Sequence, residues 1–94
     1  MSASTAVRAH VLVTGTVQGV GYRYFAYHSA RELALAGWVR NLRTGAVELE
    51  VEGADVEVAR YIESLKAGPT AAVVRDVQIQ WITPLHERQF ELRD

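Results

Sequence analysis

Along residues 6 to 14 apolar and polar side chains alternate, with Val7, Ala9, Val11 and Val13 on one face and Arg8, His10, Leu12 and Thr14 on the other. A period of two predicts a strand with one face in a core, and Leu12 extends some cover to the second face. After a glycine-rich stretch the spacing turns helical from Tyr22 to about Ala36: Tyr22, Ala26, Ser29, Ala30 and Leu33 share a side, with Phe25 beside them. Gly37 is placed to end that helix. Trp38 to Leu42 reads as a short strand and Arg43-Thr44-Gly45-Ala46 as a turn. Val47 to Glu52 alternates again, with Val47, Leu49 and Val51 inward and Glu48, Glu50 and Glu52 outward, which completes a hairpin. Asp55 is the expected N-cap of a second helix whose apolar face is Val58, Ile62 and Leu65, bordered by Tyr61 and stopped by Gly68-Pro69. Val73 to Trp81 alternates once more, Pro84 interrupts, and Gln89 to Arg93 form a short terminal strand carrying Phe90 and Leu92.

The order strand, helix, strand, strand, helix, strand predicts an α+β fold of the ferredoxin-like kind. This is a two-layer α/β sandwich (βαββαβ) with an antiparallel sheet and two helices on one face. With 94 residues the chain makes one domain, expected over residues 6–94 after a flexible polar start at 1–5. There is no cysteine, which excludes disulfides, thiolate metal sites and a cysteine nucleophile. Ten basic and eleven acidic side chains nearly cancel, so there is no broad electrostatic case for nucleic acid or an anionic membrane. No apolar run is long enough to span a bilayer and no charged-then-apolar leader opens the chain, so a cytoplasmic location is expected.

The stretch Gly15-Thr16-Val17-Gln18-Gly19-Val20-Gly21-Tyr22-Arg23 links the first strand to the first helix. A helix N-terminus has unpaired N–H groups and partial positive charge, so a cation in its first turn is unfavourable unless an anion joins it. No Ser, Thr, Asp or Asn stands just before the helix to cap it. Backbone N–H groups of Gln18, Gly19, Val20, Gly21, Tyr22 and Arg23, with the Arg23 guanidinium, are therefore candidates for cradling a phosphate-sized anion. The residues alone also allow a plainer reading, in which the glycines make a tight turn and Arg23 is solvated or salt-bridged. Standard phosphate motifs fail: Val20, Gly21 and Tyr22 stand where a Walker loop needs Gly, Lys and Ser/Thr, and Tyr24 stands at the third glycine of a dinucleotide loop. Asn41, at the end of a strand, either starts the turn or faces the loop, where its amide can both donate to and accept from a water.

At these two stretches the chain resembles the acylphosphatase family. Gly15 to Arg23 is similar to the family's first motif. Gly37-Trp38-Val39-Arg40-Asn41, followed by Gly45, Val47 and Gly53, is similar to its second, and the resemblance runs over roughly residues 7 to 93. Tyr22 stands where Phe is commoner, and Asp94 ends the chain where an aromatic is typical. The resemblance implies the fold derived above and hydrolysis of the carboxyl–phosphate anhydride of acyl phosphates to carboxylate and inorganic phosphate. It implies that Arg23 binds the phosphoryl group with the loop N–H groups and that Asn41 orients the attacking water. A carboxylate leaving group has a conjugate acid of pKa about 4, so no general acid is needed. No cofactor and no metal are expected, since no acidic cluster is arranged for Mg²⁺. The expected partners are a small acyl phosphate and phosphate as a product inhibitor, bound by a monomer.

Two other classes share the topology. An RNA-recognition module needs exposed aromatics and a basic face on its central strands, whereas Val47 to Glu52 offers three glutamates and no aromatic. A non-catalytic phosphate or acyl phosphate binding module would keep the cradle without needing Asn41. His10, His28 and His86 show no ligand spacing, and Glu48, Glu50 and Glu52 read as a solvated sheet face. Trp38 and Trp81 are expected to pack, with Trp38 also a candidate wall of the site. Arg40 and Arg43 are expected to be exposed, where they can draw anions, and Thr44 to shape the turn or support Asn41.

Overall fold

The computed structural model describes residues 5–94. Its elements are β1 (Ala6–Thr16), α1 (Tyr22–Glu32), β2 (Ala36–Asn41), β3 (Val47–Ala54), α2 (Asp55–Ala67), β4 (Val73–Ile82) and β5 (Phe90–Leu92). Of the flexible start expected over 1–5, residues 1–4 lie outside the described residues. The Thr5 carbonyl accepts the Asp55 N–H at 3.1 Å. The strands form one sheet in the order β4-β1-β3-β2-β5. Neighbours are antiparallel except β5, which lies parallel to β2 and makes the sheet mixed. Among the described residues no helix is long and apolar enough to cross a membrane.

The alternation in the sequence sets the core. Ala9, Val11 and Val13 of β1, Val39 of β2 and Val47, Leu49 and Val51 of β3 are all fully buried beneath the helices. The small Ala26 and Ala30 let α1 lie close to the sheet, and α2 contributes Val58, Tyr61, Ile62 and Leu65. Two buried tyrosines tie the helices together. Tyr22 donates its hydroxyl to the Leu65 carbonyl at 2.7 Å, and Tyr61 to the Ala26 carbonyl at 2.8 Å. Burial pushes both phenols above their ordinary pKa, which keeps them neutral donors.

Several boundaries differ from the sequence expectation. Helix α1 ends at Glu32, not near Ala36, because Ala34 takes the left-handed conformation (φ 56) and the Leu35 N–H closes back on the Ala30 carbonyl. Gly37 is not the terminator; it lies inside β2, where a Cβ would sit 1.9 Å from the Glu50 carbonyl oxygen. Asp55 is the first residue of α2 and Ala54 its N-cap, so Asp55 and Glu57 act as first-turn negative charge at the positive end of the helix. Trp81 does not pack. It pairs with Ala9 on the helix-side face, but β4 is the sheet's edge, and Trp81 is left 59% exposed.

The opposite face of the sheet is also unlike the solvated surface expected from its glutamates. Arg8 is only 1% exposed, and its guanidinium donates to Glu50 at 2.8 Å, Glu52 at 2.9 Å and Glu87 at 3.0 Å. Glu52, also buried, accepts the N–H groups of Leu85 and His86, each at 2.8 Å. These bonds hold residues 83–89, which carry the chain from β4 to β5, over the sheet. Burial opposes the charge of Glu52, but the Leu85 N–H, the Arg8 guanidinium and the His86 N–H outweigh it and hold its pKa below 4.5. Burial likewise opposes the charge of Glu48. His10 at 2.7 Å and Arg40 at 2.7 Å outweigh it, and the pKa of Glu48 is again lowered.

Removing Arg8 leaves three carboxylates facing one another. Arg8→Ala is expected to destabilise the fold by about 3–5 kcal/mol, measured by urea unfolding near neutral pH. Because Glu52 and Glu48 titrate lower folded than unfolded, the stability they add is complete above the unfolded carboxylate pKa of about 4.5 and is lost as pH falls below it. Unfolding free energy of the wild type should therefore drop between about pH 5 and pH 3. In Arg8→Ala that drop should shrink.

Candidate active site

The loop after β1 is built by backbone geometry. At Thr14/Gly15 the pairing of β1 with β4 shifts by one residue, and Gly15 (φ 129) allows a close approach in which a Cβ would lie 2.1 Å from the Val73 carbonyl oxygen. Val17 is buried and anchors the loop in the core. Gly19 (φ 74) and Gly21 (φ 80) are left-handed with open space around them, so conformation and not crowding asks for glycine there. Gly21 is the N-cap of α1, with no side-chain cap and no acidic residue in the first turn. Among the described residues no acceptor takes the N–H groups of Gly19, Val20 or Gly21.

What fixes so open a loop is the Gln18 side chain. Its Nε2 donates to the Leu42 carbonyl at 2.6 Å and the Ala46 carbonyl at 2.8 Å, on the two sides of the β2–β3 turn. The loop is thereby joined to the hairpin that carries Asn41. That turn is closed by its own bonds, Leu42 N–H to Ala46 and Gly45 N–H to Leu42, and by Thr44, whose Oγ1 accepts the Ala46 N–H at 3.4 Å. Thr44 shapes the turn in the manner expected of it.

Arg23 lies in the first turn of α1. Its Nη1 donates to the Arg93 carbonyl at 2.6 Å and stands 3.7 Å from Asp94 Oδ1. Its guanidinium carbon is 5.6 Å from the centroid of the Tyr24 ring. Asn41 is the last residue of β2, and its Oδ1 is buried with no hydrogen-bond partner, the one such side-chain atom among the described residues. A buried acceptor left unpaired costs about 1–3 kcal/mol, so it calls for a reason.

Loop, helix and strand end meet in one cavity of about 230 Å³, lined by Val17, Gly19, Gly21, Tyr22, Arg23, Tyr24 and Asn41. Of the residues singled out in the sequence, Gly19, Gly21, Tyr22, Arg23 and Asn41 are thus brought together. Gln18 does not line the cavity and acts on the hairpin instead, and Val20 packs against the core. The hydroxyl of Tyr22 is bonded to Leu65, so only its backbone is free to serve the site. Trp38 is not a wall of the cavity. It pairs with Glu50 on the helix-free face, where Arg40 and Arg93 lie over its ring at 5.3 and 4.9 Å. Arg40 is bound to Glu48, and Arg43 is exposed in the turn. The sequence reading missed Tyr24, whose only local signal is its place directly after Arg23. It also missed the Arg93 carbonyl, which is close only through the fold. A second cavity, of about 360 Å³, is lined by Tyr27, Arg31, Arg88, Gln89 and Phe90 among others, and no glycine lines it. Among the described residues no group of His, Asp or Glu is placed to hold a metal ion.

Fold and site define a small α+β protein in which a glycine-rich loop, one arginine and an asparagine with an unpartnered amide oxygen line one cavity. The model of the acylphosphatase family matches residues 9–92. An acylphosphatase of Moorella thermoacetica is 47% identical over 87 residues, covering 93% of this chain and 94% of that protein. One of Trichormus variabilis is 48% identical over 90 residues, covering 96% and 89%. The solved structure of an acylphosphatase from Coxiella burnetii superposes with a TM-score of 0.91 at 36% identity, over 99% of this chain and all (100%) of that one. The chain belongs to the acylphosphatase family.

The Gln18 bridge is directly testable. Gln18→Ala removes both bonds between loop and hairpin, while the two carbonyls keep their partners within the turn. It should lower unfolding free energy by about 1–3 kcal/mol in denaturant titration. A change below measurement error would mean that the loop holds its shape without the bridge.

Proposed function

We propose the following division of labour for the acyl phosphate hydrolysis that membership of the acylphosphatase family assigns to this chain. The phosphoryl group of a small acyl phosphate sits at the N-terminus of α1, against the N–H groups of Gln18 to Arg23, with the Arg23 guanidinium on its non-bridging oxygens. Asn41 holds a water on the side away from the acyl group, accepting a water hydrogen at Oδ1. The water oxygen attacks phosphorus as the bond from phosphorus to the carboxyl oxygen breaks. The acyl group leaves as carboxylate, and the water proton passes to a phosphoryl oxygen. The observation that carries this reading is the buried, unpaired Asn41 Oδ1 in the same cavity as Arg23 and the glycine loop.

The chemistry asks little more of the protein. A loose, metaphosphate-like transition state concentrates charge on the non-bridging oxygens, where a rigid set of N–H donors stabilises it without reorganisation. The leaving carboxylate needs no proton, and the substrate phosphate itself takes the one released by water. The reaction is accordingly read as metal-free and cofactor-free, in a monomer, with inorganic phosphate as a competing product. The absence of cysteine is compatible with a cytoplasmic setting.

Benzoyl phosphate hydrolysis followed in excess chelator tests the reading. Turnover should persist in EDTA. Arg23→Ala should lose at least about 100-fold in kcat/KM and lose phosphate inhibition with it, since one oriented donor on a developing charge is worth about 3 kcal/mol. Asn41→Ala should lose about 100-fold or more in kcat, with phosphate still inhibiting at a similar concentration. Equal losses of phosphate inhibition in both variants would refute this division of roles. Phosphate binding without turnover by the wild type would instead indicate a non-catalytic binding module.

A further inference from the structure

We propose that Tyr24 is the acyl-group platform of the site, a specificity-determining residue that favours acyl phosphates with a flat aromatic acyl group over those as small as acetyl phosphate. The inference rests on the hydrolytic reading of the same cavity and adds what that reading leaves open, the side of the substrate that is not phosphate. The cavity has two kinds of lining: Arg23, Asn41 and the glycine loop are its polar part, and Val17, Tyr22 and Tyr24 are its apolar or aromatic residues. Tyr22 is fully buried and holds Leu65, which leaves Tyr24 as the aromatic ring there with a surface to offer.

That surface is large. Tyr24 is 53% exposed, and among the large apolar side chains left exposed in the described residues (Val56, Val73, Ile79, Trp81 and Leu85 are others) it alone lines this cavity. The Arg23 guanidinium lies over its ring, 5.6 Å from the centroid, so the group that holds the phosphoryl oxygens and the ring are direct neighbours. In an aromatic acyl phosphate the carbonyl carbon is the only atom between the anhydride oxygen and the ring. A phosphoryl group on Arg23 therefore places a benzoyl ring within reach of Tyr24, where offset stacking and removal of apolar surface from water both favour contact. An acetyl group has a single methyl to place there. The contact is equally present in ground and transition state, so it belongs in KM rather than in kcat.

The ring also supports Arg23 through its π-face, and a supporting role alone would affect every substrate and inorganic phosphate alike. The test separates the two by comparing benzoyl phosphate, acetyl phosphate and phosphate inhibition in the wild type, Tyr24→Ala and Tyr24→Phe. Tyr24→Ala is expected to lose about tenfold more in kcat/KM for benzoyl phosphate than for acetyl phosphate, as a rise in KM, while phosphate still competes. Tyr24→Phe, which keeps the ring, is expected to restore the wild-type ratio between the substrates. Equal losses for both substrates in Tyr24→Ala, with phosphate inhibition weakened in step, would overturn the proposal while leaving the hydrolytic reading intact. A wild type that turns over neither substrate would overturn both.

Discussion

The structure depends on a pair of hydrogen bonds from one side chain. Gln18 sends its amide across to the Leu42 and Ala46 carbonyls, and so holds a loop whose Gly19, Val20 and Gly21 N–H groups have no acceptor among the described residues. A cradle of backbone donors faces contrary demands: each donor bonded within the protein is lost to the ligand, and each left unbonded removes a constraint on the loop. Here the constraint comes from outside the loop backbone. Val17 is sunk in the core, Gly15 is pressed against the Val73 carbonyl, and Gln18 bonds to the neighbouring hairpin. The same bridge sets the distance between the loop and Asn41, because Leu42 is the next residue along. One bridge therefore holds both the open loop and the strand end that carries Asn41.

Arg23 is reached by a longer route through the fold. The buried Arg8 guanidinium binds Glu50, Glu52 and Glu87, and Glu52 also takes the N–H groups of Leu85 and His86. This pins residues 83–89 to the helix-free face and delivers the chain to β5, parallel to β2, with Phe90 buried. Two residues past Glu91, the Arg93 carbonyl meets the Arg23 guanidinium. A charge cluster on one side of the sheet is thus continuous through the backbone with the cation on the other. Burial makes such clusters costly to disturb, since removing one member leaves the others charged and out of water.

The fold was legible because period-two and period-3.6 patterns name strands and helices that each bury one face, and their order leaves few topologies. What escaped were features that depend on partners far away in the chain. Gly37 looked like a helix stop because glycine often is one, but the true terminator is Ala34 in a conformation that its side chain does not advertise. The glutamates of β3 looked solvated because their cation, Arg8, is held on another strand, and register, which sequence alone does not reveal, brings Arg8 opposite Glu52. Trp81 looked like core because its strand alternates, but β4 lies at the sheet's edge. In the site, the missing cap and the first-turn arginine were visible as violations of local preference, and both lie at the cavity that Asn41 also lines. Asn41 was visible only as ambiguous, since asparagine at a strand end is ordinary. Its unpaired oxygen is a property of the folded cavity.

The central claim is that the Gln18 to Arg23 backbone is an anion cradle sharing its cavity with Asn41. Titrating ¹⁵N-labelled protein with inorganic phosphate while observing backbone amides and arginine side chains tests this most directly. The account predicts saturable shifts confined to the amides of residues 18 to 23, the Arg23 guanidinium and the Asn41 side chain. Loop amides that do not respond, with the shifts centred on Arg31 and Arg88 at the larger cavity, would contradict it.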